Sequence, residues 1–204
     1  GPDGRMWVVN DRTQAPSGMG YALENRYSIN RVVPDIFKNM NVKQAAGFFY
    51  DFNQMLVEAA PQNQQDPNII ILTPGPHNET YFEHSYLSSF LGYPLVKGSD
   101  LVVRGGKLWM KSLKGLKQVD VIYRRVDDVF IDPLELREDS YLGVAGLLEV
   151  VRLQNVAIVN PIETNNKTIL SMSSAEVIDN VNADVFNINT FKSFTNCSCA
   201  FVSC

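Results

Sequence analysis

Cysteine is missing from the first 196 residues of this 204-residue chain, and Cys197, Cys199 and Cys204 all fall in the last eight. That excludes a disulfide framework, since one thiol would be left over, and Cys-x-Cys without a nearby histidine is a weak metal pattern. Histidine is almost as scarce: His77 and His84 are the only two. No apolar run is long enough to cross a membrane and no leader pattern opens the chain, so the cytoplasm is the expected compartment and no membrane partner is expected. Positive charge is not in excess either. A net charge of −4 argues against nucleic acid as the main partner. The one local basic cluster, Lys107, Lys111, Lys114 and Lys117, reads as a solvated edge. Two sequons, Asn78-Glu-Thr80 and Asn166-Lys-Thr168, matter only in a secreted protein.

What is present is an ordinary globular composition, 45% hydrophobic and 20% charged, in a chain long enough for a real core. Met6 to Asn10 reads as a short strand and Asp11 to Gly20 as a polar loop. Tyr21 to Lys38 has apolar residues near helical spacing, split by Pro34. Val42 to Ala60 is a second helix, with Phe48, Phe49, Phe52 and Leu56 on one face. Asn68 to Leu72 and Val119 to Tyr123 are continuous apolar runs of the kind buried on both faces of a parallel sheet. Between them Asn78 can cap a helix that runs to about Phe90 and ends at Gly92. Leu95-Val96 and Leu101 to Val103 read as strands, with Gly105-Gly106 turning into Lys107 to Met110. Ser140 to Leu153 reads as a helix and Val156 to Val159 as a last strand. The expectation is an α/β fold with a mostly parallel sheet flanked by helices and an antiparallel hairpin insertion. After Asn160 the chain turns rich in Asn, Ser and Thr, apart from an amphipathic stretch near Ala175 to Val185. Residues 1–160 read as one domain and 161–204 as a divergent or disordered tail.

Three constellations could carry chemistry. Arg124, Arg125, Asp127, Asp128 and Asp132 follow a buried strand. Arginine forks bind carboxylate or phosphate, and carboxylates bind ammonium groups or magnesium. Strand alternation puts Arg124 and Arg125 on opposite faces, so one of them is expected to be structural. An ion-pair network tying strand to loop has nearly equal weight. The run Thr73 to His84 lies where a strand ends and a helix begins, which favours an anion. Glu79 and Glu83, four apart, are expected on one helix face, with His84 beside them. Two acids near a helix start also simply suit its dipole, so anion or substrate binding is favoured over a metal. The loop from Asp11 to Gly20, followed by Glu24-Asn25-Arg26, could cradle a phosphate, but its spacing fits neither a Walker loop nor a dinucleotide fingerprint.

Four runs together resemble the circularly permuted ATP-grasp family, whose members are often called glutathionylspermidine-synthase-like. They are Asp11-Arg-Thr-Gln-Ala-Pro-Ser-Gly-Met-Gly-Tyr-Ala-Leu-Glu-Asn-Arg26, Leu72-Thr-Pro-Gly-Pro-His-Asn-Glu-Thr-Tyr-Phe-Glu-His84, Tyr123-Arg-Arg-Val-Asp-Asp-Val-Phe-Ile-Asp-Pro-Leu134 and Leu142-Gly-Val-Ala-Gly-Leu147. They occur in order and cover roughly residues 1–160. The resemblance implies an ATP- and magnesium-dependent carboxylate–amine ligase acting on small-molecule or peptide substrates. It implies Arg124, Asp127 and Asp128 at the reacting groups and Asn78, Glu79, Tyr81, His84 and Arg125 around the substrate. Arg12, Ser17, Gly18 and Arg26 are then near ATP, with Asp11 on the metal.

Two departures qualify that expectation. One branch of the family carries Glu-Asp-Asn-x-Arg before Pro-Ser-Gly; here the matching stretch is Asn10-Asp-Arg-Thr-Gln14, which leaves Asp11 as the sole anionic ligand. The family continues after its last strand with a Gly-rich stretch, whereas no glycine follows Asn160 here. The chain therefore reads as truncated or frame-shifted at that point and is expected not to turn over ATP alone. The rival expectation is a non-catalytic domain that holds a peptide or a partner protein in the same cleft.

Overall fold

A computed structural model describes residues 15–39, 45–61, 66–160 and 162. The expected Met6–Asn10 strand, Asp11, Arg12, the cysteines, the second sequon and the tail, save Ile162, lie outside these residues.

The first described elements are α1 (Met19–Val32) and α2 (Pro34–Asn39). Val33 between them is the break expected at Pro34, since the residue before a proline is pushed out of the helical region. Helix α3 (Ala46–Glu58) buries Phe49, Phe52 and Leu56, the middle of the apolar stripe legible in sequence. Strand β1 (Ile69–Leu72), helix α4 (Tyr81–Leu91) and strand β2 (Leu95–Val96) form one crossover unit, with Gly92 in the left-handed conformation closing α4.

Next comes an antiparallel sheet of β3 (Leu101–Arg104), β4 (Lys107–Ser112) and β5 (Gly115–Gln118). Only its first hairpin was expected. Strand β5 is exposed along most of its length, so no buried alternation marks it in the sequence. The lysine cluster lies on β4, β5 and the turn between them, all four residues exposed, as a solvated edge should be. Strand β6 (Val121–Arg124), helix α5 (Leu147–Arg152) and strand β7 (Ala157–Val159) are the last of the described elements.

The main sheet has the order β2-β1-β6-β7, with every neighbouring pair parallel. Alternation divides each central strand between two cores. Ile69, Ile71, Val121 and Tyr123 pack with α1, α3 and α4. Ile70, Leu72 and Ile122 pack with the antiparallel sheet and α5. Asp120 pins the amino end of β6: its carboxylate accepts the Asn68 N–H at 2.8 Å and the Gln118 side-chain amide at 3.0 Å. This local bonding starts β6 two residues later than the apolar run suggests. No helix among the described residues is long and apolar enough to cross a membrane.

The helix expected over Ser140–Leu153 is shorter, because residues 140–146 form a loop pressed against two other segments. A Cβ on Gly143 would lie 2.2 Å from the Phe130 carbonyl oxygen, and one on Gly98 would lie 2.3 Å from that of Gly143. A helix through Gly143 would forgo this backbone-on-backbone contact, so α5 waits until Leu147.

Candidate functional site

In a parallel sheet, ligands favour the crevice at the carboxyl ends of the strands where strand order changes direction. Here the chain passes from β1 to β2 on one side and returns to β6 on the other, so that point lies between β1 and β6. Thr73 follows β1 there and Arg125 follows β6, with the Arg125 N–H donating to the Leu72 carbonyl at 2.8 Å.

The two arginines separate to opposite faces, as alternation requires. Arg124 is fully buried. Its Nη1 donates to the Val126 carbonyl at 2.6 Å and its Nε to the Asn160 carbonyl at 3.2 Å, while the Asn160 side chain donates to the Arg124 carbonyl at 2.7 Å. Arg124 thus ties the ends of β6 and β7 together. Arg125 turns to the helical face. Its Nη1 donates to the Pro16 carbonyl at 2.5 Å and to the Tyr123 hydroxyl at 3.3 Å, and its Nη2 lies 3.6 Å from Glu83 Oε2. Burial pushes the Tyr123 phenol pKa up, and the adjacent Arg125 charge partly opposes that.

Glu83 is the residue on which these segments converge. It is 1% exposed. One oxygen accepts the Gly18 and Gly20 N–H groups, at 2.7 and 2.9 Å, and so satisfies the first donors of α1 from a position more than 60 residues away. The other oxygen, Oε2, has no hydrogen-bond partner, and neither has the buried Nε of Arg125.

His84 is wired into the loop that carries it. Thr80 Oγ1 donates to Asn78 Oδ1 at 2.6 Å, so towards His84 Nε2, 3.0 Å away, it acts as acceptor. The proton therefore sits on Nε2, and Nδ1 accepts from the Thr73 hydroxyl at 2.9 Å. Thr73 Oγ1 in turn accepts the Gly75 N–H at 3.2 Å. Both ring nitrogens are engaged inside the 73–84 segment. Burial, with the Arg125 charge as a second cause, lowers the His84 pKa to about 3, so the ring is neutral near pH 7.

The remaining expected residues are spread along the same edge. Asn78 is half-buried and accepts the Thr80 N–H at 2.9 Å. It shapes the turn before α4 and does not cap the helix, whose N-cap is Thr80. Glu79 is exposed in that turn; it precedes the helix and so does not share a helix face with Glu83. Tyr81 opens α4 and is half-buried. Asp127 is exposed, and the buried Asp128 accepts the Val129 N–H at 2.8 Å. Ser17 and Gly18 precede α1, and Arg26 lies two turns along it, all three half-buried. Asp132 belongs elsewhere. Its carboxylate accepts the N–H groups of Leu134, Gly146 and Leu148 at 2.9, 3.1 and 2.9 Å, which ties the loop after β6 to the start of α5.

Sequence reasoning gave Glu83 no role beyond its helix face, and it missed Asn160. Asn160 has φ of 75°, and an asparagine at the end of a strand, tolerant of that region, was the available signal.

The model of the circularly permuted ATP-grasp type 2 family matches residues 1–168. The chain belongs to that family. An uncharacterised protein of Mycobacterium tuberculosis is 48% identical over 159 residues, which make up 78% of this chain and 18% of that protein. One of Synechocystis is 44% identical over 157 residues, 77% of this chain and 33% of that protein. One of Mycobacterium leprae is 44% identical over 155 residues, 76% and 28%. The chain therefore spans a third or less of these relatives' length.

A magnesium–triphosphate group does not fit the described part of this ATP-grasp chain. The Gly18 and Gly20 N–H groups that could meet a phosphate already serve Glu83. Among the described residues no group of three His, Cys, Asp or Glu side chains is placed to hold a metal ion.

Proposed function

We propose that this chain supplies the substrate side of an ATP-dependent carboxylate–amine ligase, forming an amide or peptide bond between a small-molecule or peptide acid and an amine. What supports this is the family membership together with the Arg125 guanidinium at the strand-order reversal. Its Nε is a buried donor with no partner, and guanidinium donors suit carboxylates. In this reading Arg124, Asp127, Asp128, Asn78, Glu79, Tyr81 and His84 are the further candidates at the end of β6 and on the segments after β1 and β6. Arg124 and His84 would act by holding the strand ends and the 73–84 loop in place. Nucleotide and metal fall to residues outside the described ones, Asp11 and Arg12 among the candidates, with Ser17, Gly18 and Arg26 adjoining. The 204-residue chain on its own does not turn over ATP in this reading, which casts it as a substrate-binding part.

The test uses a full-length relative incubated with magnesium–ATP and panels of acids and amines. Release of ADP that requires both an acid and an amine, and that falls at least tenfold in Arg125→Ala, supports the ligase. Absence of any heat or thermal shift with magnesium–ATP rejects it. A second reading is a non-catalytic peptide- or protein-binding domain on the same fold. It is favoured by one observation, that the α1 N-terminus is filled by Glu83. Peptide binding without nucleotide binding by the full-length protein would establish it.

A further inference from the structure

The turn before α1 looks like an anion cradle, and the anion in it belongs to the chain itself. Two N–H groups of the Pro16–Gly20 segment point at Glu83 Oε1, and the Arg125 guanidinium closes the other side at 3.6 Å. Helix α1 is 14 residues long, so its amino end carries a real positive potential. Gly20 makes the approach possible, since a Cβ there would lie 2.9 Å from Glu83 Cγ. The same carboxylate also determines how Arg125 sits. Two guanidinium nitrogens are engaged, by the Pro16 carbonyl, the Tyr123 hydroxyl and Glu83, and the third, Nε, is buried without a partner.

We propose that Glu83 is a positioning residue, a built-in carboxylate that fills an anion site made by the α1 N-terminus and Arg125 and so fixes the guanidinium across the strand-order reversal. The Pro-Ser-Gly turn is then a clamp on Glu83 and not a seat for phosphate. The ring of contacts joins three segments distant in sequence: the turn before α1, helix α4 and the residue after β6. A local capping role would need only the first two. This clamp rests on geometry alone, so its failure leaves the ligase reading standing, and the reverse holds as well.

The experiment is thermal unfolding of the whole 204-residue chain as wild type, Glu83→Ala and Glu83→Gln, in sodium formate or sodium chloride at equal ionic strength. Glu83→Ala is expected to lower the midpoint by about 5 °C or more, because two N–H groups lose their acceptor and a buried guanidinium loses its opposite charge. Formate is expected to restore at least half of that loss by occupying the vacated site, and to do nothing comparable for wild type. Should Glu83→Ala fail to fold, Glu83→Gln carries the test by ¹⁵N NMR. The Gly18 and Gly20 amides and the Arg125 Nε–H should shift together while the Leu148 amide stays in place. Equal stabilisation of all three proteins by formate, or an unmoved Arg125 Nε–H in Glu83→Gln, overturns the proposal. So does movement of the wild-type Gly18 and Gly20 amides on addition of magnesium–ATP, which would return the turn to the nucleotide.

Discussion

Two helices of this protein are started by a buried carboxylate from outside their own first turn, and the two cases differ in completeness. Asp132 receives three N–H groups within 16 residues of itself, both oxygens engaged, and serves α5. Glu83 receives two from the N-cap and first turn of α1 across 63 and 65 residues, and leaves one oxygen 3.6 Å from an arginine and without a hydrogen bond. A fully bonded carboxylate has nothing left to offer a ligand and holds loops together. An incompletely bonded pair at the strand ends keeps an unused donor and an unused acceptor, which is costly for stability alone. The contrast separates an acid whose bonding is complete from one that shares its burial with an arginine.

The largest expected effect comes from breaking the complete case. Asp132→Ala leaves three N–H groups without acceptors, two of them on the buried residues Gly146 and Leu148. It should cost roughly 3–5 kcal/mol, read from urea unfolding. Gly143→Ala comes next. Its Cβ must displace the Phe130 carbonyl, and roughly 3 kcal/mol of lost stability is expected, with the Asp132 contacts loosened in the same step.

The third prediction sharpens the Glu83 side through its neighbour. The His84 pKa is depressed to about 3 in the folded chain against 6.5 unfolded, so the unfolded state binds the extra proton between those values. Stability is therefore full above about pH 6.5 and falls as the pH drops, by up to about 1.4 kcal/mol per unit. Urea unfolding of wild type at pH 7 and pH 5.5 should show the loss. His84→Gln should flatten that interval, and an unchanged slope would mean that His84 is not the group responsible. The smallest effect is a control at the other end of α5. Arg152 pairs with Glu135 at the surface, where such pairs contribute at most about 1 kcal/mol, so Arg152→Ala should barely move the midpoint while Asp132→Ala moves it far.

The sheet was legible because its strands are short apolar runs closed by charge. Ile69–Leu72 and Val121–Arg124 could hardly be anything but central strands. The opposite fates of Arg124 and Arg125 followed from alternation alone. Strand β5 was not legible, since Gly115–Gln118 buries little and owes its place to pairing with β4. The start of α5 was misjudged because Gly143 is fixed by backbone contacts that no periodicity reveals. At the site, the sequence pointed to the 73–84 stretch and to Glu79 within it, whereas the residue the structure buries against the α1 turn and Arg125 is Glu83. Glu79 and Glu83 look equivalent in sequence, and only the docking of α1 on α4 buries one and exposes the other. The engaged state of His84 depends on two threonine hydroxyls, which composition does not single out.

The contact of Gly98 with Gly143, and of Gly143 with the Phe130 carbonyl, sets main chain directly on main chain. The spacing of the loops after β2, after β6 and before α5 is thus held where no side chain intervenes. Residues flanking these glycines can change in size and charge without altering that spacing. The side chains on these loops can accordingly differ while the frame beneath them keeps the same dimensions.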